Sequence, residues 1–179
     1  MTDKRSLALA EVYRLIEPGP VVLLSTACGG RRNVMTQSWH TMIDFEPPLI
    51  GCVVSEANHT FAALERTREC VIGVPTVEIA RAVVGCGNTS GRSVDKFQAF
   101  GLTPVPASLV GAPRIAECYA DLECRVIDAR LKSRYNLFVL QVIQAWRRVS
   151  RRPARTLHHM GRGRFMVAGR MIRLPSRMK

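Results

Sequence analysis

The sequence predicts a mainly β fold: a small antiparallel β-barrel with a few flanking helices. Several short runs of aliphatic and β-branched residues are bounded by turn residues, as strands are. The connections between these runs are hairpin-like, and the helical patterns between them are too few for repeated βαβ units. The chain has 179 residues. That length predicts one domain over residues 1–179, with enough chain to bury a core.

The N-terminal third predicts one helix followed by strands. Apolar residues recur at helical spacing over residues 6–16, and a Pro-Gly-Pro sequence ends the pattern. Residues 21–26 form an aliphatic, β-branched run that predicts a strand. A glycine-containing turn at residues 28–32 then reverses the chain into a second strand at residues 33–38. Residues 49–54 predict another buried strand.

The middle of the chain predicts short helices around one strand. We expect a helix over residues 60–66, a strand over residues 70–74 and a second helix over residues 76–85, with Thr76 as its N-cap. A third helix is expected near residues 93–101, followed by a proline-rich extended connection.

Three strands are predicted in the C-terminal third. Residues 116–126 alternate between apolar and polar side chains, so that Asp121 and Glu123 are expected on the water-facing side. Residues 135–146 are apolar on both faces, which predicts either a central strand or one covered by a partner chain. Residues 165–172 predict a last strand.

The chain is strongly basic. Lys and Arg total 26 against 14 Asp and Glu, a formal net charge of +12. Such a charge can indicate a nucleic-acid partner, which leaves a non-catalytic basic β-barrel that binds nucleic acid as an alternative. However, the sequence contains no recognisable nucleic-acid module, and its densest basic run, residues 147–153, is typical of a solvated loop. We therefore expect no specific nucleic-acid binding.

Cysteines and apolar runs indicate a cytoplasmic location. None of the six cysteines forms a C-x-x-C pair, and several lie inside apolar strand patterns where a free thiol acts as a small hydrophobe. We expect all six to be reduced. No apolar run has the length of a membrane span, and the N-terminus lacks a signal-peptide pattern, so no membrane partner is expected.

Several catalytic motifs are missing from the sequence. It has no Walker A motif and no Gly-x-Ser-x-Gly elbow, and its four histidines lack H-E-x-x-H spacing, so no metal site is predicted. Residues 85–91 miss the Gly-x-Gly-x-x-Gly fingerprint by one residue and follow a predicted helix rather than a strand. Any binding of a nicotinamide cofactor is therefore not of the Rossmann kind.

Two segments carry groups suited to an aromatic, phosphorylated ligand. Asn33, Thr36 and Ser38 offer amide and hydroxyl groups, and Trp39 offers a stacking face. The alternative is a hairpin at the solvent edge, with Trp39 in the core. Residues 55–60 lie between a strand end and a helix start, where hydroxyls and free N–H groups suit a phosphate, although an ordinary helix cap is the commoner explanation.

These segments resemble the flavin reductase family, the FMN-binding split barrels close to flavoredoxin. The resemblance covers nearly the whole chain beyond the first predicted helix. It rests on the order and spacing of residues 33–40, 45–51, 55–60, 86–92, 95–97 and 156–179.

The resemblance implies a split barrel, a homodimer and non-covalently bound FMN. The residues it implicates in cofactor binding lie in four parts of the chain: Asn33, Val34, Met35, Thr36, Ser38 and Trp39; Ser55, Asn58 and Thr60, near the phosphate and ribityl chain; Lys96, near flavin N1 and O2; and Phe165, as an aromatic cover.

The resemblance also implies an NAD(P)H-dependent oxidoreductase. Electrons would pass from NAD(P)H through the bound flavin to free flavin, ferric complexes or a partner protein, with Lys96 and Tyr135 as catalytic candidates. Tyr135 stands where the family often has a histidine, and its unperturbed pKa near 10 makes it a poor proton shuttle at neutral pH. A pyridoxamine-phosphate-oxidase-like or haem-handling barrel remains an alternative within the fold.

Overall fold

The computed structural model describes residues 4–16, 19–150 and 152–176. The strands are β1 Lys4–Leu7, β2 Val22–Cys28, β3 Arg31–Gln37, β4 His40–Phe45, β5 Pro48–Val53, β6 Glu69–Val74, β7 Pro104–Val105, β8 Arg114–Ile115, β9 Ala120–Asp128, β10 Leu137–Arg148, β11 Leu157–His159 and β12 Phe165–Val167. The helices are α1 Tyr13–Ile16, α2 His59–Thr67, α3 Ala80–Asn88, α4 Lys96–Ala99 and α5 Lys132–Tyr135, with 3₁₀ turns at Leu9–Glu11 and Val77–Ile79.

One antiparallel eight-stranded sheet forms the body of the fold. Its strand order is β3-β2-β6-β9-β10-β5-β4, and β1 also pairs with β10. Along one edge, β10 pairs with β9; along the other, its first half pairs with β5 and its second half with β1. The sheet therefore divides at β10. The mainly β fold predicted from the sequence is confirmed, and β10 is a central strand.

The two largest of three buried apolar clusters lie on either side of the β2–β3 wall. The larger contains side chains of β5, β6, β9 and β10, and α1 and α2 pack against it. The second lies under α3 and α4 and includes Val34, Val83 and Phe97. Because β2 and β3 contribute alternate residues to both cores, they form the wall that separates them.

The predicted β2–β3 hairpin is confirmed. Val22 pairs with Gln37 and the register continues to Cys28 opposite Arg31. Gly29 and Gly30 turn the chain with φ of 58° and 75°, a left-handed conformation that glycine adopts without steric cost.

The prediction of an N-terminal helix over residues 6–16 is wrong for its first part. Residues 4–7 form β1 and pair with β10, and only a 3₁₀ turn and the four-residue α1 follow. Lys4 forms a buried ion pair with Asp121, and its side-chain amine also donates to the carbonyl of Ile115 at 2.8 Å. These long-range contacts fix residues 4–7 as a strand, and no local helical pattern reveals them.

The prediction that the polar face of residues 116–126 meets water is also wrong. Asp121 and Glu123 are 1% and 0% exposed. Glu123 accepts hydrogen bonds from the backbone N–H groups of Ser108 and Leu109 and from Trp146 Nε1, at 2.7–3.0 Å. Because these donors and Lys4 replace water, the two carboxylates can be buried.

Several predicted boundaries shift. The helix expected to begin at Thr76 starts as a 3₁₀ turn, without a capping bond from the Thr76 side chain. The last strand ends at residue 167 instead of 172, and Tyr135 lies in α5 rather than in β10. A further strand, β4, is mostly exposed at the end of the sheet and is not predicted from the sequence.

All six cysteines are free thiols. Among the described residues, no helix is both long and apolar enough to cross a membrane.

Candidate functional site

A cavity of about 270 Å³ opens where β3, the start of α2, the end of α3 and the start of α4 meet. Its wall combines side-chain amides, hydroxyls, an imidazole and an amine with two glycines, Gly87 near the end of α3 and Gly91 in the turn that follows it. The lining residues are Asn33, Met35, Ala57, Asn58, His59, Thr60, Gly87, Asn88, Thr89, Ser90, Gly91 and Lys96.

The alternation of β3 decides which predicted residues reach this cavity. Asn33 and Met35 line it. Val34 points the other way and is fully buried in the second core. The hydroxyl of Thr36 donates to the carbonyl of Val83, so its polar group is already engaged with α3. Side chains two residues apart on a strand share a face, which explains this division.

Asn33 is held at the back of the cavity. Its Nδ2 donates to Thr60 Oγ1 at 2.8 Å, which joins β3 to the first turn of α2. Its Oδ1 is buried and has no hydrogen-bond partner among the described residues. A buried carbonyl oxygen without a donor is unusual, and a ligand donor would satisfy it. Gly91 lies directly beside this oxygen: a Cβ there would stand 2.0 Å from Asn33 Oδ1.

The N-terminus of α2 faces the same space. Asn58 stands at the N-cap with extended backbone, φ −77° and ψ 139°, but its side chain makes no capping hydrogen bond. Just upstream, Ser55 Oγ accepts a hydrogen bond from the backbone N–H of Ala57 at 3.3 Å. Ser55 does not line the cavity. The first-turn N–H groups of a nine-residue helix without a side-chain cap are suited to an anion.

Lys96 places a positive charge in the cavity wall. The residue is only 5% exposed, and its Nζ donates to the carbonyl of Cys86 at 2.8 Å. Asp95 caps α4 by accepting from the N–H groups of Phe97 and Gln98, which fixes the start of that helix. Burial lowers the pKa of Lys96. An anionic ligand would favour the ammonium form.

The pKa of His59 is lowered by its surroundings. Burial is the largest cause that lowers its pKa, followed by the charges of Arg31, Arg92 and Lys96. No acidic residue lines the cavity in the part of the chain that the structure describes. The site is therefore cationic, with neutral donors and acceptors between its charges.

The remaining predicted residues lie outside the cavity. Ser38 is exposed, and Trp39 is 73% exposed rather than in the core. Tyr135 is 53% exposed on α5. Phe165 is half-buried against the second core, with its ring centroid 5.4 Å from that of His159. The structure therefore brings together Asn33, Met35, Asn58, Thr60 and Lys96.

Neither His59 nor residues 87–91, which comprise the end of α3 and the turn after it, were assigned to the site from the sequence. Residues 86–92 contributed to the family resemblance, but small polar residues and glycines are also typical of any surface turn. Only the close approach of Gly91 to Asn33 distinguishes this turn, and that approach joins residues far apart in sequence. The described residues contain no group of three His, Cys, Asp or Glu that could hold a metal ion.

Residues 13–166 match the family described as the flavin reductase like domain. The chain belongs to this family.

Several known proteins are similar to this chain along most of their length. The Escherichia coli K12 protein YddH is 29% identical over 93% of this chain and 95% of its own. The structure of an FMN-binding domain of a flavin reductases-like enzyme from Shewanella baltica OS155 has a TM-score of 0.90 and 28% identity, covering 97% of this chain and 98% of that one. Flavoredoxin of Desulfovibrio vulgaris (Miyazaki F) has a TM-score of 0.77 at 23% identity, over 87% and 90% of the two chains, and shares the split-barrel fold.

Proposed function

We propose that this protein binds FMN non-covalently in the cavity between β3 and the start of α2, and acts as a flavin-dependent oxidoreductase. One observation carries the proposal: an uncapped helix N-terminus, a buried lysine and the buried, unpaired Oδ1 of Asn33 converge on one cavity. Phosphate, sugar hydroxyls and a heteroaromatic ring need this set of partners.

The donor set fits the parts of FMN. The first-turn N–H groups of α2 and the cationic surroundings of His59 suit the phosphate. Asn33 Oδ1 can accept a hydrogen bond from a ribityl hydroxyl, which would give this buried oxygen a partner. The hydroxyls of Thr89 and Ser90 line the same wall and can share the remaining polar contacts.

The cavity is small for a whole cofactor. At about 270 Å³ it lies just below the roughly 300–1,000 Å³ of most small-molecule sites. We infer that the phosphate and ribityl chain lie inside and that the ring extends along β3 beyond Met35. A flavin ring left there needs an apolar cover, which a second copy of the chain can provide.

Homodimerisation is therefore part of the proposal. Trp39 and Ile43 are 73% and 51% exposed, and Ile43 lies on β4 at one end of the sheet. Exposed apolar side chains on an edge strand favour association with another chain. A two-fold dimer through this region would bury both residues and bring the predicted ring-facing residues Ser38 and Trp39 to the cofactor.

Bound FMN would supply the redox chemistry that links NAD(P)H to free flavin, a ferric complex or a partner protein. The protein holds and orients the cofactor, and the charge of Lys96 favours the negative charge that the flavin gains on reduction. Tyr135 can donate a hydrogen bond from the surface of α5.

Reconstitution and turnover test this proposal. The purified protein is loaded with FMN, and the oxidation of NADH and of NADPH is followed with free flavin or a ferric chelate as acceptor. We expect turnover that depends on bound FMN. A protein that binds FMN but oxidises neither nucleotide would contradict the reductase activity and leave the cofactor site intact.

A further inference from the structure

Nearly all of the net positive charge lies at the C-terminal end of the chain. Residues 147–179 contain eleven basic residues and no acidic one, and ten of the eleven are arginine. The whole chain has a net charge of +12, so residues 1–146 together carry only +1. Charge that is concentrated in one segment gives that part of the surface a strong local field, which attracts partners of the opposite sign.

The fold holds this segment in place through the β11–β12 hairpin. The backbone N–H of Val21 donates to the carbonyl of Leu157 at 2.7 Å. Leu157 is buried in the second core, and Phe165 and Val167 pack against the same core. Met166, which lies between them on β12, is exposed. The hairpin therefore has an apolar inner face and an outer face that meets water.

The hairpin also brings distant arginines together. The N–H of Ala168 donates to the carbonyl of Thr156 at 2.9 Å, so the residues next to them, Arg155 and Arg170, lie at the open end of the hairpin. The turn at its other end contains Arg162 and Arg164. The exposed arginines of this segment, here called the arginine surface, are Arg152, Arg155, Arg162, Arg164, Arg170 and Arg173.

The protein itself leaves these charges without carboxylate partners. In the described part of the chain, no salt bridge joins an arginine of the arginine surface to Asp or Glu. Large apolar side chains are exposed among the arginines: Met160, Met166 and Met171 are 58%, 55% and 74% exposed. A surface with unpaired charge and exposed apolar groups is suited to an interface.

The composition of the arginine surface favours a protein partner over other anionic macromolecules. Protein interfaces are enriched in arginine and methionine and depleted in lysine, as this surface is. Proteins bind single-stranded nucleic acids by stacking aromatic side chains on the bases, but the only Phe, Tyr or Trp after Trp146 is Phe165, which packs inward. Amphipathic helices bind membrane surfaces, and no helix follows α5 among the described residues. An acidic protein therefore fits best.

The arginine surface and the candidate FMN site share a supporting core. The second core contains Leu157 of β11, Cys86 of α3 and Phe97 of α4. The carbonyl of Cys86 accepts the hydrogen bond from Lys96, which lines the candidate cavity. A protein docked on the β11–β12 hairpin would therefore contact the same layer of the fold that forms part of the cavity wall.

We propose that the arginine surface docks an acidic protein, and that this protein is the electron acceptor of the proposed oxidoreductase. The assignment as acceptor rests on the proposed function, whereas docking itself does not require bound FMN. Each NAD(P)H supplies two electrons, so it reduces two molecules of a one-electron carrier and releases one proton. Opposite charges on the two surfaces raise the rate of association and orient the partner.

Two haem proteins of opposite charge serve as probes. Cytochrome b5 is acidic and cytochrome c is basic, and each carries one electron. Both are titrated against the protein by calorimetry, in buffers from about 0.05 to about 0.5 M salt. We expect cytochrome b5 to bind with an affinity that falls as salt rises, and cytochrome c not to bind. Equal affinities for the two probes, or no binding of cytochrome b5 at the lowest salt, would overturn the proposal.

Charge reversal locates the docking surface. Arg164→Glu combined with Arg170→Glu should weaken the binding of cytochrome b5 about tenfold or more. Arg66→Glu combined with Arg134→Glu makes the same change of charge at exposed positions on α2 and α5, and should leave binding nearly unchanged. Circular dichroism checks that both variants are folded. An equal loss in the two variants would show a general attraction to a basic protein and overturn the assignment of this surface.

Other classes of partner are tested with duplex DNA and with vesicles that contain an anionic lipid. Both are titrated against the protein at about 0.15 M salt. We expect each to bind more weakly than cytochrome b5. Tighter binding of either one would assign the surface to that class of partner and overturn the proposal.

Electron transfer is measured separately from docking. FMN-loaded protein is mixed with NADH and cytochrome b5, and haem reduction is followed by absorbance. The Arg164→Glu, Arg170→Glu variant should slow this reduction about tenfold and leave the reduction of a ferric chelate unchanged. Cytochrome b5 that binds but is not reduced would refute the role as acceptor. If FMN does not bind, the proposed function fails, and calorimetry without flavin still decides whether the surface docks an acidic protein.

Discussion

Gly91→Ala is expected to disturb the candidate cofactor site by steric contact. An alanine Cβ at this position would lie 2.0 Å from Asn33 Oδ1, 2.7 Å from Asn33 Cγ and 3.2 Å from His59 Cδ2. Real Cβ contacts are not that short, so either the Asn33 side chain or the turn that contains Gly91 must move.

Each movement has a measurable consequence, either for the stability of the fold or for the affinity for FMN. If Asn33 rotates, its 2.8 Å hydrogen bond to Thr60 breaks and two buried polar groups lose their partner. Such a loss costs about 1–3 kcal/mol. In a domain of this size each kcal/mol lowers the midpoint of thermal unfolding by about 2–4 °C. If the turn moves instead, the cavity wall opens and the affinity for FMN falls about tenfold or more.

Gly87→Ala provides a matched control at the same cavity. Gly87 is exposed near the end of α3, and a Cβ there would stand 3.4 Å from Thr36 Cβ, an ordinary contact. We expect this variant to be as stable as the parent or slightly more so, because alanine favours helix. Both variants are measured by FMN titration and thermal denaturation. Parental behaviour of Gly91→Ala, or an equal loss in both variants, would refute the steric reasoning.

Three further predictions concern charge, assembly and pH. Lys96→Met should lower the flavin reduction potential by roughly 20–60 mV in a redox titration, because the variant lacks a charge-assisted contact to the reduced flavin of about 1–3 kcal/mol. A parental potential with weakened FMN binding would place Lys96 at the phosphate instead. Ile43→Lys should convert the proposed dimer into a monomer in light-scattering measurements, because a charge replaces an exposed apolar side chain on the edge strand β4; a dimer that persists would exclude this edge as the interface. Burial lowers the pKa of His40 from 6.5 to about 4. Between these pH values the unfolded chain binds more protons than the folded protein, so the free energy of unfolding should decrease as pH falls through that range. Urea unfolding should show a weaker pH dependence for His40→Gln than for the parent, and the same pH dependence in both would contradict this role of His40.

Local signals made much of the fold predictable. The Gly29–Gly30 turn between two aliphatic runs predicts the β2–β3 hairpin because both glycines adopt the left-handed conformation it needs. The helical spacing after residue 58 likewise predicts α2 within a residue or two. These elements need no information from the rest of the chain.

Long-range contacts account for the errors. Residues 4–7 become a strand because β10 offers an unpaired edge and Lys4 meets Asp121, 117 positions along the chain. Asp121 and Glu123 are the polar residues of an alternating strand pattern. Such a pattern predicts that the polar side chains face water, unless buried hydrogen-bond donors take the place of water. No periodicity in the sequence reveals those donors.

The candidate site shows the same division. Asn33 and the segment that contains Thr60 carry polar groups suited to a phosphorylated ligand, and the family resemblance adds Lys96. The structure places all three residues around one cavity. His59 and Gly91 were not assigned to the site, because their importance arises from what packs beside them. Because side chains alternate along β3, Val34 and Thr36 lie on the opposite face of the strand from Asn33. A motif of consecutive residues does not show which of them face the cavity.

The most direct test of the central claim is a comparison of FMN with riboflavin, which lacks the phosphate. Apo-protein is titrated with both by fluorescence quenching under the same conditions. The account predicts that FMN binds at least about tenfold more tightly, because the phosphate meets the uncapped start of α2 and a cationic wall. Equal affinities, or no binding of either flavin, would contradict the assignment of this cavity as the FMN site.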